Sequence, residues 1–210
     1  MLAFSNFGFM GNAVVAALFP DIFMEYLIFV LPFWVFIYLW GVPSLLMPSD
    51  ERKNDFKSGL RKLVNPMFIA MVVGIVVGIV GIQIPAFFTS AVSSLGNCMS
   101  PIAMMLTGMT IAKIDLRKTM TRTSIYVVSL IRLLLIPLVA IIIIPMIDIP
   151  YGLALCTVCS LAMPLGLNTI VVPSAYGKDT SVAAGMALIS HALSCITIPG
   201  IFALFSFMYI

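Results

Sequence analysis

Long apolar runs separated by short polar stretches dominate the chain. Seven runs are visible, roughly at residues 2–19, 24–47, 65–84, 95–112, 124–147, 151–173 and 182–208. Most contain about 18–27 residues, which is enough for a helix to cross a hydrocarbon core of about 30 Å. The runs do not alternate between polar and apolar residues as membrane strands do. The pattern predicts an all-α polytopic membrane protein with about seven transmembrane helices.

Two of these runs contain residues that interrupt a helix. At residues 162–168, Pro164 removes a helix hydrogen bond, Gly166 weakens the helix, and Asn168 has no apolar role. The first run contains a similarly polar, glycine-rich stretch at residues 5–12. Broken backbone at membrane depth is tolerated only inside protein or beside a watery cavity, and secondary transporters bind substrates at such breaks. The two interruptions are therefore the predicted transport site.

Composition and charge fix the class and the orientation. The chain is 62% hydrophobic and 9% charged, with a mean hydropathy of +1.18, values that exclude a soluble domain. Apart from Arg132, the basic residues lie in three alternate loops, near residues 48–63, 113–122 and 178. The positive-inside rule places these loops in the cytoplasm and the C-terminus outside an inner or plasma membrane. No extended basic face is present, so a nucleic-acid partner is not expected.

Polar and small residues at the two interruptions form the candidate substrate site. An asparagine amide can donate to a carboxylate without bringing a permanent charge into the membrane, and a half-helix N-terminus adds a partial positive field. This chemistry suits a small organic anion. The alternative for each asparagine is a structural role as a helix cap. The predicted site consists of Asn6, Gly8, Gly11, Asn12, Pro164, Gly166, Asn168 and Thr169.

Arg132 and His191 are the candidate accessory residues. Arg132 lies about eight residues, or roughly 12 Å, into its run, a depth from which it can snorkel to the headgroups. It is either a structural anchor or supporting charge, or a direct contact for an anionic substrate. His191, the chain's only histidine, either relays a proton or packs as a hydrogen-bonded neutral side chain. An intramembrane enzyme would need a second catalytic group beside it, and no catalytic, zinc or P-loop motif is present. We therefore expect a non-enzyme without a cofactor or metal.

Several motifs, taken in order along the chain, resemble the auxin efflux carrier family. Members of that family include plant auxin exporters and bacterial carriers of malonate and related acids. Residues 5–11 are similar to the family's S-N-x-G-x-x-G helix, and residues 65–85 are similar to a glycine-rich helix that opens with Asn-Pro. Further similarity lies at residues 95–96, 101–103, 106–112, 162–168, 176–179, 194 and 198–199.

The resemblance implies ten helices in two inverted repeats, whose fourth and ninth helices are broken and cross at the substrate. Residues 1–47 would be the last two helices of the first repeat, 48–63 a cytoplasmic basic loop, and 64–210 the second repeat. A homodimer in the lipid bilayer with elevator-like alternating access is also implied. Asn6 and Asn168 would then contact the anion, and Arg132 would add a positive field.

The sequence departs from the family pattern at two places. The family's three opening helices have no counterpart here. In addition, Ala13 stands where the family has a proline, so we expect the first break to be softened or displaced near Asn12. His191 occupies a position where a small polar residue is expected. The alternative to a carrier is a truncated or split, non-transporting membrane subunit that assembles with a chain supplying the missing N-terminal helices.

Overall fold

The structure is a computed structural model that describes residues 2–46, 66–112, 115, 117 and 120–209. Within these ranges the regular structure is helical, and the extended backbone forms nothing longer than an isolated bridge. The all-α fold predicted from the apolar runs is confirmed. The predicted basic loop at residues 48–63 lies outside the described residues.

Helices of different lengths follow one another along the described chain. Their bounds are Phe7–Leu18 for α1, Phe23–Phe36 for α2, Pro66–Val80 for α3, Ala86–Ala112 for α4, Thr123–Met146 for α5, Tyr151–Leu161 for α6, Asn168–Ala175 for α7 and Ser181–Tyr209 for α8. Short 3-10 turns precede α2, and π-helical turns over Ile37–Leu46 follow it. The helical assignment thus holds for every predicted apolar run.

Among the described residues, α5 and α8 are each long and apolar enough to cross a membrane alone. A third span results when Pro20–Phe36 and Trp40–Leu46 are counted together. The run at residues 151–173 yields two shorter helices, because its middle is not helical. The helix predicted to start near residue 95 begins at Ala86 instead, because Pro85 is the nearest upstream residue that ends a helix.

The chain divides into two compact units, and the larger one contains Met1–Leu31 and Ala103–Ile210. In this unit α8 packs against α5 and α7. Small residues on α8 permit this close approach, as is usual between membrane helices. The buried cluster comprises Ile125, Leu165, Leu167, Ile170, Ala183, Ala184, Met186 and Ala187. Both interrupted segments belong to this unit.

The smaller unit, Pro32–Ile102, contains α3 and the first part of α4. Gly81 ends α3 with a positive φ of 70°, and Ile82 donates its N–H to the Val77 carbonyl at 3.3 Å, which closes the last turn. The Gly74-x-x-x-Gly78 spacing in α3 is typical of a helix that packs closely against another, and it predicts such a contact. A Cβ added to either glycine meets no described atom within 4 Å, so that contact is not made within the described residues.

Large apolar side chains lie on the outside of the described helices. Phe207 on α8 is 84% exposed, and Ile79 on α3 is 81% exposed. A hydrocarbon solvent makes such exposure favourable, whereas backbone polar groups must be satisfied internally. The buried polar side chains of the larger unit are therefore the ones that require an explanation.

Candidate functional site

Two non-helical segments, residues 4–6 and 164–166, meet in the larger unit and form an isolated antiparallel bridge between Ser5 and Leu165. The Asn6 N–H donates to the Pro164 carbonyl at 2.9 Å, and the reciprocal bond from the Gly166 N–H is 2.8 Å long. Each segment thus satisfies backbone groups that the other leaves without a helical partner. We call these two paired segments the crossover.

Pro164 begins the second segment, and it also removes one hydrogen bond from the end of α6. In a continuous helix the N–H of residue 164 would donate to the carbonyl of Ser160, but proline has no N–H. The Ser5 hydroxyl donates to that carbonyl instead, at 2.6 Å. The first segment therefore supplies the hydrogen bond that the proline removes from α6.

Gly166 permits the two backbones to approach each other. A Cβ added there would lie 2.8 Å from the Ser5 carbonyl oxygen and 3.1 Å from the Phe4 carbonyl carbon. Both are backbone atoms that cannot rotate away, so any larger side chain would force the segments apart. The role of Gly166 is this close approach, in addition to the weakening of the helix that the sequence suggested.

Ser190 on α8 contributes a further partner for the second segment. Its hydroxyl accepts the Leu165 N–H at 3.3 Å and donates to the Ala187 carbonyl at 3.2 Å. Neither Ser190 nor Ser160 was among the predicted site residues. The available signal was the presence of small hydroxyl residues on apolar helices, since buried hydroxyls need hydrogen-bond partners.

Asn6 and His191 form a side-chain pair at the crossover. The Asn6 Nδ2 lies 2.9 Å from His191 Nε2, and His191 Nδ1 lies 2.7 Å from the Ala187 carbonyl oxygen. Because a carbonyl can only accept, Nδ1 carries the proton, and Nε2 accepts from the amide. The imidazole in this arrangement is neutral. Asn6 is 1% exposed, and its Oδ1 has no partner among the described residues.

Arg132 on α5 joins the two segments from the side. Its Nη1 donates to the Leu2 carbonyl at 3.1 Å, and its Nε donates to the Met163 carbonyl at 3.3 Å. Arg132 therefore holds the backbone within two residues of the start of each part of the crossover. Arg132 is 5% exposed and therefore does not snorkel to the headgroups. Its Nη2 is buried without a partner, and no described carboxylate pairs with the guanidinium.

The backbone of α5 departs from α-helical geometry where Arg132 lies. Ile131–Leu135 forms a π-helical turn, closed by the Ile136 N–H on the Ile131 carbonyl. Pro137 follows and cannot donate a helical hydrogen bond, which favours the wider turn. Such π-bulges are frequent at functional sites because they change the direction of one side chain.

A cavity of about 10 Å³ lies beside Arg132, which is room for about one water molecule. Ser129 also lines it, and the Ser129 hydroxyl, like Arg132 Nη2, is buried without a described partner. The remaining lining residues are Val128, Leu165, Met186 and Ser190. Unused hydrogen-bonding capacity is thus concentrated next to the crossover.

The structure brings Asn168 to the first position of α7, where it is partly exposed. Its amide makes no hydrogen bond with the described residues, and neither it nor Asn6 provides a side-chain cap for a helix. The structural alternative, in which these asparagines are caps, is therefore not realised. Thr169 donates its hydroxyl to the Gly166 carbonyl at 2.8 Å, which is a local role.

The other predicted residues lie on α1. Gly8 and Gly11 are buried in its opening π-helical turn. Gly11 has a specific neighbour, because the Tyr26 hydroxyl occupies the space that a Cβ would need and donates to the Phe7 carbonyl at 2.9 Å. Tyr26 was not among the predicted residues. The available signal was a tyrosine within an apolar run, since a buried tyrosine hydroxyl usually has a hydrogen-bond partner.

The first break was predicted to be softened or displaced near Asn12 and Ala13, and the structure has no break at these two residues. α1 is continuous through both residues, and the non-helical backbone lies upstream at residues 4–6. Alanine keeps its N–H and is a good helix former, so nothing at residue 13 stops the helix. The Asn12 Oδ1 is buried without a described partner.

A family model described as a membrane transport protein, of the auxin efflux carrier type, matches residues 49–202. The match includes the second segment of the crossover, whereas residues 4–6 precede it. No curated protein and no solved structure matches the chain.

Proposed function

Because this chain belongs to the membrane transport protein family of the auxin efflux carrier type, we propose that it carries small organic anions, carboxylates above all. Membrane transport follows from the family. The anionic substrate and its position are our proposal, and they rest on the polar groups of the larger unit.

The surroundings of Arg132 support an anionic substrate. Its cationic guanidinium is buried, donates to two carbonyls, and has no carboxylate partner among the described residues. A buried charge without a counter-charge is costly, and the cost falls when a ligand of opposite sign binds nearby. A carboxylate at the crossover would supply that counter-charge.

Asn6 and Asn168 are the proposed direct contacts. Asn6 belongs to the crossover and lies immediately before α1, whereas Asn168 follows the second segment by two residues and begins α7; neither caps its helix. Asn168 has an amide with no described partner, and Asn6 has one end of its amide unused. Two amides and one guanidinium together supply enough N–H donors for both oxygens of one carboxylate.

Elevator-like alternating access is the mechanism we propose. Both segments of the crossover, together with Arg132 and His191, belong to one compact unit of the chain. A site that is complete within one unit can move as a rigid body with its substrate. The backbone pairing of the crossover would keep the site intact during that movement.

Equilibrium binding to the purified chain tests the proposal. We expect calorimetry to detect binding of pyruvate and malonate, and no binding of the uncharged amides of the same acids. Asn168→Ala should weaken binding about 10–150-fold, which corresponds to one hydrogen bond to a charged ligand worth roughly 1.5–3 kcal/mol. Asn97→Ala is the matched control, because Asn97 is an exposed asparagine on α4.

Equal affinity in Asn168→Ala and Asn97→Ala would remove the crossover from the binding site. Binding of the amides as tightly as the acids would refute an anion site. Flux measured in liposomes then distinguishes a carrier from a non-transporting membrane subunit. Binding accompanied by flux is expected of a carrier, and binding without flux is expected of a subunit that needs partner helices.

A further inference from the structure

We infer that anion binding at the crossover is coupled to uptake of one proton by His191, with Asn6 as the switching element. Protonation of His191 would invert the Asn6 amide, so that Asn6 presents a donor to the anion instead of an acceptor. The inference rests on the proposed function and adds the coupling ion, the proton, to it.

The first step is the fixed tautomer of His191. Nδ1 must donate to the Ala187 carbonyl, 2.7 Å away, so a second proton can enter only at Nε2. Nε2 lies 2.9 Å from the Asn6 amide nitrogen. Two donors would then face each other across a hydrogen-bond distance, which is unfavourable.

Rotation of the Asn6 amide by half a turn resolves this conflict. It would place Oδ1 against the protonated Nε2, which gives a charge-assisted hydrogen bond, stronger than the neutral one. Oδ1 is free to make this exchange, because it has no partner among the described residues. The rotation gives up only the contact between Nδ2 and Nε2, which protonation of Nε2 has already made unfavourable. The amide therefore has two arrangements, each matched to one protonation state of the imidazole.

The end of the Asn6 amide that faces away from His191 changes its character in the same rotation. With neutral His191, the free end of Asn6 is an acceptor oxygen, which repels a carboxylate. After inversion the free end is an NH₂ group, which can donate to a carboxylate oxygen, and the imidazolium adds a positive charge next to it. The protonated state should therefore bind the anion, and the neutral state should release it together with the proton.

Few other titratable groups face this pair. The residues before α1 and the whole of α7 contain none, and α5 contributes Arg132, whose described hydrogen bonds go to Leu2 and Met163. On α8 itself, the Cys195 thiol donates to the His191 backbone carbonyl at 3.6 Å. No acidic side chain of the described residues contacts His191, so its second proton is supplied by solvent and balanced by the anion.

Calorimetry provides the first test, with pyruvate as the probe because its carboxylate stays ionised from pH 5.5 to 8.5. In the range where free His191 is neutral, affinity should fall about tenfold per pH unit as the pH rises, the slope for one linked proton. Titrations in buffers of different ionisation heat should show about one proton taken up per anion bound. His191→Gln should bind with no proton uptake, and Cys195→Ala should keep the wild-type pH dependence.

Nuclear magnetic resonance provides a test that needs no variant. His191 is the only histidine, so ¹⁵N-histidine labelling, with a purification tag free of histidine, reports this residue alone. We expect the neutral Nδ1–H tautomer without ligand at pH 8, and conversion to imidazolium when pyruvate saturates the site. Pyruvate binding without proton uptake, with the imidazole still neutral, would overturn the coupling and leave the proposed function intact. Absence of binding at every pH would overturn both.

Discussion

Replacement of Gly166 by alanine should open the crossover. The new Cβ would lie 2.8 Å from the Ser5 carbonyl oxygen and 3.1 Å from both the carbon and the oxygen of the Phe4 carbonyl. These atoms belong to the backbone of the first segment, and that segment is held by hydrogen bonds to the second. The contact can be relieved only by separation of the two segments.

The expected loss of stability has two parts. Weakening of the two backbone hydrogen bonds of the bridge costs about 0.5–1.5 kcal/mol each, and overpacking costs about 1–3 kcal/mol. The free energy of unfolding should therefore fall by about 2–6 kcal/mol. Denaturant titration of the purified chain, with monodispersity followed by size-exclusion chromatography, measures this loss.

Gly200→Ala on α8 is the matched control, because a Cβ added to Gly200 meets nothing within 4 Å. In a helix interior, alanine is favoured over glycine by about 0.5–1 kcal/mol, so this variant should be neutral or slightly stabilised. If Gly166→Ala and Gly200→Ala unfold with the same free energy, the close backbone approach at the crossover is not what requires glycine at residue 166.

Three further variants test other contacts. Gly11→Ala should lose stability because its Cβ would occupy the space of the Tyr26 hydroxyl, and the loss should shrink in a Tyr26→Phe background, as a double-mutant cycle would show. Arg132→Gln should reduce pyruvate affinity more than Arg132→Lys, which keeps the charge, and equal affinities would remove the guanidinium charge from binding. Hydrogen bonds from the Ser181 hydroxyl and N–H lower the pKa of Asp179, so its stabilisation is present above the unfolded pKa and is lost as the pH falls. The difference in thermal midpoint between wild type and Asp179→Ala should therefore begin to shrink as the pH falls below about 4 and should vanish once Asp179 is protonated in the folded state. A difference that persists at that point would contradict this origin.

The helical class and the second interruption could be predicted from the sequence because both depend on local chemistry. Apolar run length sets the helices, and Pro164 removes a particular hydrogen bond wherever the chain folds. Arg132 was correctly identified as unusual, since a charge within an apolar run has few explanations. Its hydrogen bonds to the carbonyls of Leu2 and Met163 fit the structural alternative, although the sequence did not identify these two partners.

The pairings within the site could not be predicted because they join distant residues. Asn6 and His191 are 185 residues apart, and Ser5 and Ser160 are 155 apart. Local patterns fix which backbone groups lose helical partners, but only packing decides which side chains replace them. For the same reason, the glycines of α3 were predicted to make a close contact that the described residues do not contain.

The distance between bound substrate and His191 tests the central claim most directly. Solid-state nuclear magnetic resonance can measure dipolar coupling between ¹³C in the pyruvate carboxylate and ¹⁵N in the single histidine. If the anion binds at the crossover through Asn6, the two nuclei should be separated by two hydrogen bonds and the amide between them, roughly 6–8 Å, and the coupling should be measurable at long dephasing times. Saturated pyruvate binding with no coupling to His191 would place the substrate elsewhere and contradict the account.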